Sequence, residues 1–324
     1  RAIPDRLRVM SETLRTPATV PVVSSTIATQ LAHRPIRAYT GEPVDEDTVT
    51  TLLDVARHAA TSSFQQQVTV IRVTDPAVRE QIHEASGQPY VGGDRGALFV
   101  VVVDLHRNAV LRERAGADPE PLERTNLFLQ GVEDTIIAAQ NVVVAAESLG
   151  LGTTYLGSIL ADPRRVIAAL RLPERTFPLL GLLVGRPAQA PQYKPRLPRE
   201  ITTAVDAYPE PDEHLDALAD YDATVREYYD LRDANTRVDS FSEQIARALG
   251  TGGASRLPGS SPNGALTGWA WMWVVTASTA AYFCGTVPYI KSMIRERFNR
   301  PLLVGTVAAH ALVAAAAGWL GAGG

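Results

Sequence analysis

The spacing of apolar residues predicts a first amphipathic helix that begins near residue 45. Four residues have the i, i+3, i+4, i+7 spacing of one buried helical face: Val49, Leu52, Leu53 and Ala56. Acidic residues at 45–47 precede them, and negative charge is favourable at the positive end of a helix dipole. We therefore expect this helix to lie with one face on the core.

Runs of apolar residues predict the strands. Val68–Val73 is rich in β-branched residues, and Leu98–Val103 reads LFVVVV without a polar residue. Leu179–Val184 is a similar run, and Thr153–Leu156 is long enough for a short strand. Continuous apolar runs are typical of strands that are covered on both faces.

The remaining patterned stretches are helical. A long helix is predicted within Leu122–Leu149, and its second half is apolar nearly all round, which favours a central buried helix. Shorter helices are predicted at Pro76–Ala85 and from Asp162 to Leu170, and a polar helix at Leu215–Leu231. Helices and strands alternate irregularly, so the pattern favours the α+β class over a regular βαβ series.

The pattern changes after a linker rich in Gly, Ser and Pro at 250–264. Two runs without Asp, Glu, Lys or Arg follow, Ala265–Ile290 and Leu302–Leu320. Each is long enough to cross a hydrocarbon core of about 30 Å as a helix. The runs predict an apolar helical hairpin in a membrane, and buried soluble helices are the alternative.

These changes of pattern divide the chain into four predicted parts. They are an N-terminal arm (1–27), a main domain (28–249), the linker (250–264) and a two-helix membrane segment (265–324). The chain begins with Arg, and Met10 is a candidate start residue. We expect a cytoplasmic location, with membrane contact through residues 265–320 if the hairpin forms.

Composition excludes several classes of function. The formal net charge of -4 gives no basic face for nucleic acid. Cys284 is the single cysteine, and the six histidines lack a metal-ligand spacing, so neither a disulfide framework nor a metal site is expected. The chain has no GxGxxG after a strand, no GxxxxGK[ST] and no GxSxG, which argues against Rossmann, P-loop and α/β-hydrolase chemistry.

Five separated polar clusters remain as candidate chemistry. They are His33/Arg34/Arg37, Ser62–Gln66, Gly87–Tyr90, Tyr155–Ser158 and Lys194–Arg196. Each cluster alone is typical of an ordinary loop. Together, the cations of the first and last clusters could clamp a phosphate, which is best held by several cationic donors. The Ser/Gln cluster could hydrogen-bond the edge of a flat heterocycle.

From about residue 28 to Ile245 the chain resembles the nitroreductase family of FMN flavoproteins, in its NADPH-dependent, oxygen-insensitive nitroreductase and flavin reductase branch. The matching stretches include HRPIRAYTGEPV, AATSSFQQQVTVIRVTD, GQPYV, AAQNVVVAAESLGLGTTYLGS, FPLLGLLVGRP and KPRLP, in family order. The resemblance implies an FMN-binding α+β fold with a central mixed or antiparallel sheet flanked by helices. Here the C-terminal apolar hairpin would be added to that fold.

The resemblance also implies roles for individual residues. His33, Arg37 and Arg196 would face the FMN phosphate, Lys194 the pyrimidine edge of the ring, and the backbone around Gly157 the ring nitrogen N5. The full set of expected cofactor-binding residues is His33, Arg34, Arg37, Ser62, Ser63, Gln66, Gln88, Tyr90, Tyr155, Leu156, Gly157, Ser158, Lys194 and Arg196.

Two further arginines, Arg232 and Arg237, resemble positions that hold the extra phosphate of NADPH. The alternative is that they are exposed charges at the end of a polar helix. Two positions depart from the family pattern: Pro35 stands where a serine is common, and Phe241 where a tryptophan is usual. The first departure removes one hydroxyl donor to the phosphate.

The activity implied by the resemblance is a ping-pong transfer of hydride from NADPH, through FMN, to nitroaromatics, quinones or flavins. No catalytic acid–base pair is needed, because the protein supplies position and charge. The resemblance further implies a homodimer with FMN at the subunit interface. A flavin-binding or membrane-associated scaffold without turnover is the alternative.

The C-terminal stretch AAYFCGTVPYIKSMIRERFNR resembles a fragment of the YwiC-like membrane family. The loop Lys291–Arg300 between the two apolar runs is basic, which favours its location in the cytoplasm. The main domain, one span earlier, would then face outward and away from NADPH. Either a large domain without an export signal overrides this bias, or the segment is a fragment joined to the reading frame.

Overall fold

The computed structural model describes residues 20–230 and 239–248. The chain forms two compact units. The described part of the larger unit is 35–189, and that of the smaller unit is 20–34, 190–230 and 239–248. The predicted linker and the predicted membrane segment lie outside the described residues.

The larger unit is built on a sheet of four strands in its described part. The strands are β1 (Val68–Val73), β2 (Ala97–Asp104), β3 (Gly152–Leu156) and β4 (Thr176–Gly185), in the spatial order β1-β2-β4-β3. Every neighbouring pair is antiparallel. The predicted α+β class with an antiparallel sheet is thereby confirmed, and all four predicted strands are present.

Helices surround this sheet and also build the smaller unit. In chain order they are α1 (Ser25–Leu31), α2 (Glu46–Arg57), α3 (Pro76–Ser86), α4 (His106–Arg114), α5 (Thr125–Ser148), α6 (Pro163–Ala169), α7 (Arg199–Thr202), α8 (Leu215–Asp230) and α9 (Phe241–Ala248). Short 3-10 turns lie at Ser62–Phe64, Glu120–Glu123, Gly157–Ala161 and Pro211–His214. Aspartates cap three of the helices, because the side chains of Asp45, Asp75 and Asp162 each accept a backbone N–H of the first turn.

Strand β2 is buried at every position from Leu98 to Val103. Its alternate residues serve opposite faces of the sheet, as the two-residue period of a strand requires. Leu98 belongs to the core that contains α3 and α6, whereas Phe99 belongs to the core that contains α2 and α5. The uninterrupted apolar run in the sequence therefore reflects two cores that share one strand.

Helix α5 is covered on one face only by the described residues. Ala138, Ala139 and Val142 are buried against the sheet, whereas Ile136 and Ile137 are 49% and 44% exposed. The prediction of a helix buried all round is wrong for these two isoleucines, because the described part of the larger unit has no layer beyond α5 that could cover them.

An extended segment, Pro35–Thr40, runs beside the edge strand β3 and carries Arg37. The Ile36 N–H donates to the Thr153 carbonyl at 2.8 Å, and the Tyr39 hydroxyl donates to the Ile36 carbonyl at 2.7 Å. Burial raises the pKa of Tyr39 well above its usual value, so this hydroxyl keeps its proton. These contacts fix the backbone on which Arg37 stands.

The smaller unit has its own apolar cluster. Tyr221, Val225, Tyr228 and Tyr229 of α8 are buried together, and Phe241 of α9 packs against them. The Phe241 ring meets the Tyr221 ring edge to face, with 5.5 Å between ring centroids. The phenyl ring that replaces the usual tryptophan is therefore part of this cluster.

Among residues 20–230 and 239–248, no helix combines the length and the apolarity that a membrane span requires. The predicted hairpin at 265–324 is outside these ranges. It stays a prediction, and so does the division of the chain into four parts.

Gly152 is required for the close approach of the Pro35–Thr40 segment to β3. A Cβ atom at this position would lie 2.5 Å from Ile36 Cγ1. We expect Gly152→Ala to lower the free energy of unfolding by about 1–3 kcal/mol, the usual effect of overpacking a core. Urea unfolding measures the change, with Gly41→Ala as the control because a Cβ there meets no atom within 4 Å. Equal unfolding curves for the two variants would contradict the requirement.

Candidate functional site

The Ser62–Gln66 loop has an unusual backbone conformation. Ser63, Phe64 and Gln66 have φ angles of 51°, 56° and 52°, in the left-handed region that residues other than glycine rarely adopt. Each such residue costs on the order of 1–3 kcal/mol, and the surrounding structure must offset this cost. Strain of this kind is concentrated at functional sites, which makes the loop the first candidate.

Asp134 of helix α5 holds the beginning of the loop. Its Oδ1 atom accepts the Ser62 backbone N–H at 2.8 Å and the Ser62 hydroxyl at 3.0 Å. The side chain is only 1% exposed. Sequence reasoning missed this residue, although one carboxylate in an otherwise apolar helix face was a usable signal, since buried charges need partners.

Of the predicted loop residues, Ser62 is bound to Asp134, whereas Ser63 and Gln66 are not. Ser62 uses its backbone and its hydroxyl to anchor the loop from within. Ser63 and Gln66 are exposed, and their side chains are available to a ligand. The exposed ring of Phe64 lies between them.

Gln88 and Tyr90 lie on a second loop, which follows the left-handed Gly87 at the end of α3. The Arg79 guanidinium holds this loop. It donates to the carbonyl oxygens of Val91, Arg95 and Gly96 at 2.9, 2.8 and 2.8 Å. Arg79 is 7% exposed, and burial lowers its pKa from the usual value. A buried cation thus fixes the backbone of the loop that carries the two predicted residues.

The end of β3 presents the cluster Tyr155–Ser158. The Tyr155 hydroxyl donates to Gln140 Oε1 at 3.0 Å, and burial, together with the charge of Glu147, raises the pKa of Tyr155 to about 12. Leu156 is buried in the core, so it could meet a ligand only through its backbone. Gly157 is exposed, and a Cβ there would meet no atom within 4 Å.

The predicted phosphate-binding cations fall into both units. Arg37 is exposed on the Pro35–Thr40 segment of the larger unit, whereas His33, Arg34, Lys194 and Arg196 belong to the smaller one. Within the smaller unit, the Arg34 guanidinium has partners from the same unit. It donates to the Pro191 carbonyl at 3.2 Å and lies 4.7 Å from the centre of the Tyr193 ring.

Lys194 and Arg196 lie together at a cavity of about 600 Å³ in the smaller unit, where tyrosines and Phe241 of the apolar cluster form much of the wall. Both cations are exposed. Arg196 donates to the Lys194 carbonyl at 2.6 Å, which fixes the two residues relative to each other. Arg232 and Arg237 lie outside the described residues.

Two family profiles match the chain, and the break between them lies close to the break at 189/190 between the two units. The profile of the Nitroreductase family matches residues 31–186, and that of the Nitroreductase family, C-terminal domain, matches residues 194–258. A protein of Staphylococcus saprophyticus named NADPH-dependent oxidoreductase is 37% identical over 221 residues, which is 67% of this chain and 88% of the relative. The chain belongs to the nitroreductase family. The predicted family and the predicted class of enzyme, an oxidoreductase, are confirmed.

Solved structures of this family have the same fold. The NfrA1 nitroreductase of B. subtilis is 35% identical, with a TM-score of 0.66 over 70% of this chain and 92% of that protein. The NADPH:FMN oxidoreductase of Vibrio harveyi, solved with NAD+, is 30% identical, with a TM-score of 0.61 over 78% of this chain and 97% of that protein. The predicted cofactors, FMN and NADPH, agree with the names of these nitroreductase-family relatives. The second of the two family matches ends at residue 258, so neither match supports the YwiC-like resemblance.

We expect Asp134→Ala to destabilise this nitroreductase, because the half-buried Ser62 N–H and hydroxyl lose their acceptor. The free energy of unfolding should fall by about 1–3 kcal/mol, the usual cost of a buried polar group left without a partner. Urea unfolding provides the measurement. Glu133→Ala is the matched control, since Glu133 is the exposed neighbouring acid on the same helix. A loss no larger than that of Glu133→Ala would show that Asp134 does not anchor the loop.

Proposed function

We propose that this member of the nitroreductase family is an FMN-dependent NADPH oxidoreductase that reduces nitroaromatics, quinones or flavins by two electrons. The observation that carries the proposal is the Ser62–Gln66 loop. Its strained backbone is held from the core while Ser63 and Gln66 remain exposed. A loop that keeps polar side chains accessible at this energetic cost is suited to a ligand with hydrogen-bonding edges.

The residues present fit the chemistry of FMN. The terminal phosphate needs several cationic donors, and Arg37 and Arg196 are exposed cations suited to it. The flat ring needs a surface without side chains, and at Gly157 a Cβ would have open space around it. The polar edge of the ring needs donors, which Ser63, Gln66 and Lys194 would supply.

FMN, when bound, supplies a redox centre that takes hydride from NADPH and passes two electrons to an acceptor. The protein then needs to bind and orient both substrates rather than transfer a proton itself. Lys194 would stabilise the negative charge that reduction adds near the pyrimidine edge. NADPH and the acceptor would use the same open face in turn, which is the basis of the proposed ping-pong order.

A homodimer would complete the site. Ile136 and Ile137 form an exposed apolar pair on α5, one helical turn before Gln140, which contacts Tyr155. Exposed apolar residues grouped in this way mark protein interfaces more often than isolated ones do. The proposal therefore includes a partner subunit on this face of α5, beside the predicted cofactor residues.

The first test is the flavin content and activity of the purified chain. We expect a flavin absorbance spectrum and NADPH oxidation that depends on a quinone or nitroaromatic acceptor. Gly157→Val should remain folded, because a Cβ at this exposed position meets no protein atom within 4 Å, yet it should bind FMN at least about tenfold more weakly, a difference of about 1.4 kcal/mol. Fluorescence titration of the flavin-free protein measures this affinity.

Two outcomes would overturn the proposal in different ways. A colourless protein that stays inactive after addition of FMN would exclude a flavin enzyme. A protein that binds FMN but oxidises no NADPH with any of these acceptors would favour the scaffold without turnover.

Arg232 and Arg237 are proposed to bind the extra phosphate of NADPH. Their replacement by alanine should raise the KM for NADPH roughly tenfold or more, since a hydrogen bond to a charged group contributes about 1.5–3 kcal/mol. The KM for NADH should change little, which makes NADH the internal control. An equal rise for both nucleotides would contradict a phosphate-binding role.

A further inference from the structure

The end of the Ser62–Gln66 loop is held through its backbone oxygens. Asn108 Nδ2 donates to the Gln65 carbonyl at 3.0 Å. The Arg107 guanidinium donates to the Gln66 carbonyl at 3.3 Å and to the Val68 carbonyl at 3.0 Å. Three carbonyls at and just after the exit of the loop are thus bound by two neighbouring side chains at the start of α4.

Arg107 is itself held in place. Its guanidinium donates to Asp104 Oδ2 at 2.7 Å, and its backbone N–H donates to Asp104 Oδ1 at 3.1 Å. Thr69 donates its hydroxyl to the same carboxylate at 2.6 Å and accepts from Arg107 at 3.0 Å. Burial would raise the pKa of Asp104, but the hydrogen bonds from Thr69 and Arg107 outweigh it and lower the pKa. The carboxylate therefore stays charged at neutral pH.

The hydrogen bonds of Arg107 and Asn108 act directly on the strained backbone of the Ser62–Gln66 loop. Left-handed residues lie between two anchors, Asp134 at the entry of the loop and the Arg107–Asn108 pair at its exit. If the Arg107–Asn108 anchor is removed, the backbone at the exit of the loop can relax to ordinary angles. Ser63 and Gln66 would then lose the orientation that a ligand requires, although the core beneath them is unchanged.

We propose that Arg107 and Asn108 are positioning residues, which hold the Ser62–Gln66 loop in the shape that receives FMN without contacting the cofactor themselves. The inference rests on the proposed flavin function. The Arg107 side chain is 45% exposed, so its removal takes little from the packed interior. Its loss should affect the loop much more than the stability of the whole chain.

The test compares Arg107→Ala, Arg107→Lys and Asn108→Ala with Arg114→Ala in the full chain. Arg114 is an exposed arginine on the same helix and serves as the matched control. Fluorescence titration gives the FMN affinity, and urea unfolding gives the stability. Hydrogen–deuterium exchange on the flavin-free protein reports the backbone of the loop directly, through the amides of Phe64, Gln65 and Gln66.

We expect Arg107→Ala to weaken FMN binding about tenfold or more, because the carbonyls of Gln66 and Val68 lose a donor. Asn108→Ala should have a smaller effect, since it removes one bond. Lysine should rescue Arg107 only in part, because a single ammonium cannot reproduce the fork of a guanidinium. Loop amides should exchange faster in Arg107→Ala, the urea midpoint should stay near that of Arg114→Ala, and saturating FMN should restore the maximal rate.

Unchanged exchange of the loop amides in Arg107→Ala would overturn the inference, whatever the activity. So would an FMN affinity equal to that of Arg114→Ala, or a loss of affinity that merely follows a fall in the urea midpoint. Failure of the unmodified chain to bind FMN would instead overturn the proposed function. The exchange measurement, which needs no flavin, separates the two failures.

Discussion

Burial of β2 on both faces is the constraint on which the larger unit depends. A strand whose alternate side chains enter two different cores must be covered by a layer on each side, since apolar side chains leave water on both faces. The α3–α6 layer and the α2–α5 layer meet this requirement. In the larger unit, the three loops that carry candidate residues begin or end at strands of this sheet, and the rigid sheet therefore determines where those loops start.

Beyond the sheet, a few buried or half-buried charges determine the shape of the loops. Asp134 and Arg79 are nearly inaccessible to water, so each must recover in hydrogen bonds the solvation that it has lost. Arg79 recovers it from three loop carbonyls, and Asp134 recovers part of it from the backbone N–H and the hydroxyl of Ser62. Polar contacts inside the unit thus do what apolar packing cannot do, which is to hold irregular backbone in one conformation.

The regular elements could be predicted from the sequence because their signals are local. The apolar run at 98–103 and the spacing from Val49 to Ala56 each lie within one element, and the structure has a strand and a helix there. The family resemblance supplied the candidate residues. It could not supply Asp134, whose partner Ser62 is 72 positions away in the chain. A local pattern could mark Asp134 as a charge in an apolar helix face, but the identity of its partner depends on how distant segments pack.

Arg79 and Arg107 hold their loops chiefly through carbonyl oxygens, which every amino acid possesses. Apart from Ser62, whose hydroxyl donates to Asp134, the exposed side chains of those loops therefore contribute little to loop shape. Under the proposed function, substitutions at positions such as Ser63, Gln66 or Gln88 would alter the contacts to the cofactor while the backbone frame persists. A scaffold of this design would let single substitutions retune the surroundings of the flavin without a new backbone.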